Sequence, residues 1–341
     1  LGVYLPWVCF TFVYFGSAIP HTIIAKGVSF GLPWLREDSL SFFSIKRHTW
    51  MMLSEQLNIH LGPAFEGHGA GIHKFFTTGP ESIIANIMFC FAVVGTITVV
   101  VKRQWALWPL CAFVVLYSAY YVYLVPIIYG WYKVPFTVAL LLLSLWGIHQ
   151  LSLLIPRHPW RNRLLAGFAV VYMGAFALVL PRCFYAERMI QSHIENDVRR
   201  EAGLYLQAHM TPEETVGTEA LGYIAYYSQG RVYDWPGLAS REVVEWSREQ
   251  PAEARTLENM CRALKPEYLF LRDLEVLYNF HNQRWLEQEY HVVAVFEVDP
   301  DKRESIPWIR RSIDPIFRIY KRNGPGDEVP YDTHLFPRRT P

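Results

Sequence analysis

Acid is nearly missing from the first 182 residues, which hold five Asp or Glu against twelve Lys or Arg. Cysteine is scarce everywhere: Cys9, Cys90, Cys111, Cys183 and Cys261, with no CxxC pair. A disulfide-framed small domain needs denser, paired cysteines, so that class is excluded. Three of the five lie in apolar runs and read as small hydrophobes. A disordered chain would be poor in apolar residues and strongly charged. This one is 52% apolar with a formal net charge of +1. The same small charge excludes a strongly basic nucleic-acid binder. No P-loop, GxGxxG, GxSxG or HExxH is present, so four common signatures of phosphate, dinucleotide, acyl and zinc chemistry are missing.

What is present is unevenly spread. Residues 183–341 carry 20 basic and 26 acidic side chains, so the two parts lie near +7 and −6. The first part contains charge-free apolar segments at 83–101, 105–129, 134–155 and 164–181, with another at 1–19. The four complete ones match the length that crosses about 30 Å of hydrocarbon at 1.5 Å per residue. The expected fold is therefore a multi-pass α-helical membrane protein with a C-terminal extracytoplasmic α/β domain. The transmembrane region would be 1–182, with an outer loop at 26–82. The α/β domain would be 183–322 and a Pro- and Gly-rich tail 323–341. Lys102 and Arg103, with Arg157, Arg161 and Arg163, would lie on the cytoplasmic side of an inner (plasma) membrane. The chain opens at Leu1 inside an apolar stretch, which reads as the later part of a longer protein. Ser41–Leu61 mixes polar and apolar residues at helical spacing. It fits either a helix lying on a membrane surface or one packed under the outer domain.

Beyond about Tyr185 the pattern is that of a layered α/β domain. Strands are expected at Thr215–Thr218, Val232–Trp235, Tyr268–Leu271, Val292–Val298 and Pro315–Tyr320. Helices are expected at Glu187–His209, Leu221–Ser228, from Arg241 behind a Ser240 cap, Ala252–Leu264 and Leu274–Glu289.

Four places carry candidate chemistry. Glu66, His68 and His73 form an ExHxxxxH in a Gly-rich loop, a spacing that fits no standard zinc pattern. No metal centre is assigned, and a divalent cation is the only cofactor left open. Tyr14–Phe30 has Pro20 breaking a helix, which turns His21, Thr22 and Lys26 outward; the plain alternative is a Lys26 reaching to an interface. Tyr120–Phe136 is dense in Tyr and Trp around one cation, Lys133. Two lysines and several phenols would suit a lipid-linked phosphate; an aromatic belt is the plain alternative. Glu219 and Asp234 are the acids of the outer domain near a Tyr-Asp-Trp-Pro-Gly turn. There Trp235, Tyr226 and Tyr227 offer rings for sugar faces, while Asp234 also suits simple turn capping.

Three of these tracts carry a resemblance. Phe15–Lys26 resembles the "yyG…lPNt..AK" segment of bacterial membrane glycosyltransferases of the GT-C superfamily, with His21 where Asn is common. Trp131–Tyr132–Lys133–Val134–Pro135 is similar to their "WYyxP" segment. Gly217–Ser240 resembles the "iGxigYys.r.viDl.GL" tract of their outer domain. The resemblance implies an inverting transfer of a sugar from a polyprenyl-phosphate donor to the hydroxyl of a glycan, lipid or protein acceptor outside the cytoplasm. It implies that His21, Lys26, Tyr132 and Lys133 bind the lipid phosphate. Acceptor contact by Glu219, Asp234 and Trp235 is the functional reading of those residues. The family's carboxylate base lies in an outer loop upstream of the tracts, so the catalytic residue is unassigned and this stretch alone is expected to be inactive. Membrane lipid is an expected partner and nucleic acid is not. The competing reading is a non-enzymatic, membrane-anchored module that binds a glycan or a protein.

Overall fold

The computed structural model describes residues 5–17, 21–30, 80–124, 133–154, 159–281, 283–306 and 314–324. The chain divides into two compact units, 1–31 with 186–341 and 32–185.

The 32–185 unit is helical. Its helices are α3 (Pro80–Val101), α4 (Trp108–Leu124), α5 (Lys133–Ser152) and α6 (Pro159–Ile190), the last extending beyond the unit; a short 3-10 turn (Trp105–Leu107) precedes α4. α3 and α5 touch backbone to backbone because glycine meets glycine. A Cβ on Gly95 would stand 2.0 Å from the Leu143 carbonyl oxygen, and one on Gly147 would stand 2.0 Å from that of Phe91. Buried Ser144 adds a polar tie, its hydroxyl 2.7 Å from the carbonyl oxygens of both Met88 and Leu140. Lys102 Nζ donates to Gln150 Oε1 at 2.5 Å. Ala92, Val99, Cys111, Phe136, Leu140 and Leu143 form the shared core.

Among the described residues, no helix is long and apolar enough to cross a membrane. This overturns the multi-pass membrane fold, its transmembrane spans, and the inner-membrane location with an extracytoplasmic domain. The helices do not follow the limits of the apolar runs. The described part of the 105–129 run, 105–124, forms a 3-10 turn and a 17-residue helix. The 1–19 run contains an 11-residue helix, about 16 Å at 1.5 Å per residue. The 164–181 run is the interior of a 32-residue helix that also holds Arg161, Arg163, Arg182, Glu187 and Arg188. The helix that carries most of the 134–155 run, α5, has His149 and Gln150 in its last turn, and α3 has Glu81 in its first. The helix expected over Ser41–Leu61 and the loop expected around Glu66, His68 and His73 fall outside the described residues, as does the tail beyond 324.

The other unit begins with α1 (Leu5–Phe15) and α2 (His21–Phe30). A π-helical stretch (Gln191–Arg200) then continues α6 into α7 (Glu201–His209). Next come β1 (Thr215–Thr218), α8 (Leu221–Ser228), β2 (Arg231–Asp234), α9 (Arg241–Glu249), α10 (Leu257–Leu264) and β3 (Tyr268–Arg272). The unit closes with α11 (Asp273–Asn279), α12 (Gln283–Glu289), β4 (Tyr290–Glu297), α13 (Pro300–Arg303) and β5 (Ile316–Arg322). The strands form one sheet in the order β2-β1-β3-β5-β4. β1 runs parallel to β2 and to β3, whereas β5 is antiparallel to both β3 and β4.

Strand alternation explains why this sheet is covered on both faces. Tyr268 and Phe270 of β3 join one core with Ile194, Val198, Leu206 and Val216. Leu269 and Leu271, the intervening residues, join the other with Val243, Met260, Val276 and Tyr320. Each fully buried Leu or Phe there contributes roughly 1.5–3 kcal/mol. Helix ends follow local chemistry. Thr256 Oγ1 accepts from the Asn259 amide at the start of α10, and Lys265 in the left-handed region ends it.

The glycine contact yields a prediction. Gly147→Ala should lower stability by about 1–3 kcal/mol, because the new methyl meets backbone rather than a movable side chain. Gly167→Ala, where nothing lies within 4 Å, should leave the thermal midpoint unchanged or slightly higher. Paired thermal unfolding curves decide.

Candidate functional site

Open α/β sheets take ligands beyond the carboxyl ends of their parallel strands, above all where strand order reverses. Here the chain leaves β1 for β2 on one side and returns to β3 on the other. That edge carries Glu219 after β1, Asp234 and Trp235 at the end of β2, and Arg272 and Asp273 at the end of β3. The three acceptor-side candidates named from the sequence therefore share one edge of the sheet.

They do not share one role. Asp234 is fully buried. Its carboxylate accepts from the amides of Leu238 at 2.5 Å, Ala239 at 3.0 Å and Ser240 at 2.8 Å, and from the Ser240 hydroxyl at 2.8 Å. Its own amide donates back to Ser240 Oγ at 3.0 Å. A short β2–α9 loop leaves those amides without helix or sheet partners, and the acid supplies them. The loop also holds a cis Trp235–Pro236 peptide and Gly237 at φ +93, a conformation glycine adopts freely. Trp235 is half-buried and meets Trp246 edge to face at 6.5 Å. Its amide donates to Thr218 O at 2.8 Å, tying the β2 end to β1.

This loop is also where α2 docks. Ser29 Oγ donates to the Pro236 carbonyl at 2.9 Å across 207 residues of sequence. Arg255 Nη1 donates to the Val28 carbonyl at 2.6 Å. α2 lies against α9, with Ala25 fully buried. His21 is buried and Lys26 half-buried on this helix. Lys133 opens α5 in the other unit, and Tyr132 and Trp131 lie outside the described residues. The structure thus brings α2, which carries His21–Lys26, onto the Pro236 loop through Ser29.

A cluster missed from the sequence sits beside Glu219. The Arg272 guanidinium pairs with Glu219, with Glu275 Oε1 at 2.6 Å and with buried Asp314 Oδ1 at 3.2 Å. Arg199 reaches Asp314 at 3.4 Å and Glu195 at 2.8 Å. Burial pushes the Glu275 carboxyl above its usual range, opposed by the Arg272 charge and by hydrogen bonds from Arg272. A signal was available: an Arg-Asp pair closing a fully apolar strand. Cys261 is buried and free, its thiol raised by burial and by nearby Glu275 and Glu258, so it is an unreactive core residue. Among the described residues, no group of three or more His, Cys, Asp or Glu is arranged to hold a metal ion.

Residues 188–320 match the family model described as a domain of unknown function, DUF8728. The match takes in all five strands and less than half of the chain. No curated protein and no solved structure matches the sequence.

Asp234→Ala should remove four hydrogen bonds and leave buried donors unpaired, a loss of about 2–4 kcal/mol. Asp234→Asn should cost less. Urea unfolding midpoints of the three proteins measure this.

Proposed function

We propose that this chain takes part in glycosyl transfer, with the sheet domain holding the acceptor glycan. One observation carries the reading. The helix α2, which carries His21–Lys26 of one tract by which the sequence resembles GT-C glycosyltransferases, docks through Ser29, just past that tract, on Pro236 of another tract some 200 residues on, and through Val28 on Arg255. This junction adjoins the sheet edge where parallel α/β folds take ligands. Glu219, 40% exposed, offers a carboxylate for sugar hydroxyls, and the half-buried Trp235 offers a ring. In such a reaction the acceptor hydroxyl attacks the anomeric carbon and a phosphate leaves with the electron pair. Positioning the hydroxyl is the share this domain would supply. No residue is assigned as general base. The polyprenyl carrier and its membrane form no part of this reading, because the spans that would accompany them are missing among the described residues.

A second reading is a glycan- or protein-binding module without catalysis. It is favoured by the commitment of Asp234, Glu275 and Asp314 to internal bonds. The two separate in one assay. Protein made from its whole reading frame is incubated with sugar-phosphate donors and oligosaccharide acceptors, and products are weighed by mass spectrometry. The proposal predicts transfer, and Glu219→Gln should raise the acceptor KM about tenfold with little change in kcat. Acceptor binding without transfer selects the module; neither binding nor transfer contradicts both.

A further inference from the structure

The face of α8 shows an unexplained gap. Gly222 is exposed, and no described atom lies within 4 Å of where its Cβ would stand. Its φ is not in the left-handed region, so among the described residues neither backbone nor packing calls for glycine. Glycine weakens a helix relative to alanine, and no described residue packs into the space in exchange. One turn later, at i+4 on the same face, stands Tyr226, 76% exposed. Helical side chains lean toward the N-terminus, so the Tyr226 ring leans toward the empty place over Gly222. The ring is braced: Tyr227 meets it edge to face, with centroids 5.0 Å apart. Tyr227 in turn rests near Gly203 of α7, where a Cβ would come within 2.7 Å of it.

The rim is polar. The Tyr223 hydroxyl accepts from the Gln191 side-chain amide. Glu219, three residues before Gly222, stands beside the Arg272 cluster, which holds four carboxyl groups against two guanidinia. A ligand here meets an aromatic plane on one side and acid, amide and phenol groups at its edge. The acidic excess disfavours a phosphate-bearing ring such as a nucleotide. A pyranose has the matching shape: one apolar C–H face and an equatorial fringe of hydroxyls.

We infer that Gly222 and Tyr226 form the floor and wall of a sugar-binding subsite on α8, rimmed by Tyr223, Gln191 and Glu219, which seats one neutral pyranose ring of a glycan. The inference rests on the reading of the sheet domain as glycan-binding, and it locates the ring contact. It does not depend on catalysis.

The test uses the full chain, with mannobiose, cellobiose and maltose as probes at millimolar concentration, read by saturation-transfer NMR. At least one disaccharide should bind with saturation strongest at one ring. Tyr226→Ala should weaken that binding about tenfold. Gly222→Leu should abolish it while raising the thermal midpoint, since the open space accepts the side chain and a Leu–Tyr contact at i, i+4 supports the helix. Gly222→Ala should also raise the midpoint but keep binding within about threefold. Binding untouched by Gly222→Leu, or no binding of any probe to the wild-type chain, overturns the inference. If sugar transfer is found yet Gly222→Leu leaves the acceptor KM unchanged, the subsite fails and the glycosyl-transfer reading stands. If no transfer occurs but Gly222→Leu abolishes binding, the subsite stands and that reading fails.

Discussion

The buried carboxylate of Asp234 shapes the loop at the carboxyl end of β2. Three amides and a hydroxyl converge on it within six residues of chain. Without that acceptor the Leu238–Ser240 amides would be buried donors with nothing to bond, an expensive state in a protein interior. With it, the loop after β2 has one shape. That shape turns the Pro236 carbonyl toward Ser29, sets Trp235 against Trp246 and starts α9 at Arg241. A single acid therefore links the parallel sheet to a helix more than 200 residues earlier in sequence.

The same edge carries a second polar system with a different character. The Arg272 guanidinium is shared among three carboxyl groups, two of them buried. Buried ion pairs give little net stability, yet removing one partner is costly because the other is left uncompensated. Such a network fixes geometry more than it adds energy. It holds the ends of β1 and β3, the start of α11 and residue 314 in one arrangement, and leaves Glu219 partly open to solvent. Between β1 and β2 runs α8, whose exposed face carries Gly222 and Tyr226.

Much of the sheet domain was legible from residue order alone. Alternation and turn residues placed the five strands within two residues of their observed ends, because each is short and has Gly, Pro or an acid at or next to its start. Ser240 was read as a side-chain cap, but its hydroxyl serves Asp234 instead and makes no cap bond to α9. The expected single helix over 274–289 is two, broken after Asn279. Asp234 was open to both turn capping and acceptor contact, and the structure shows how completely the capping consumes its oxygens. The Arg272–Asp273 pair at the end of β3 was the one sequence signal of the Arg272 cluster; its other members are spread from Glu195 to Asp314 and meet only in space. The apolar runs misled for a simpler reason. Counting charge-free residues measures length along the sequence, whereas crossing a membrane requires one apolar helix. Here one run opens with a 3-10 turn, another has His149 and Gln150 in the last turn of its helix, and a third lies inside a charged helix. Part of their apolar surface is used where Gly95 and Gly147 let α3 and α5 close on each other.

The account places ligand recognition at the carboxyl ends of β1 and β2 and on α8 between them. Hydrogen–deuterium exchange of the full chain, with and without a bound oligosaccharide, tests this most directly. The account predicts slowed exchange confined to peptides covering 217–240, with the strands β4 and β5 unchanged. Protection located at β4 and β5, or absent from 217–240 under saturating ligand, would contradict it.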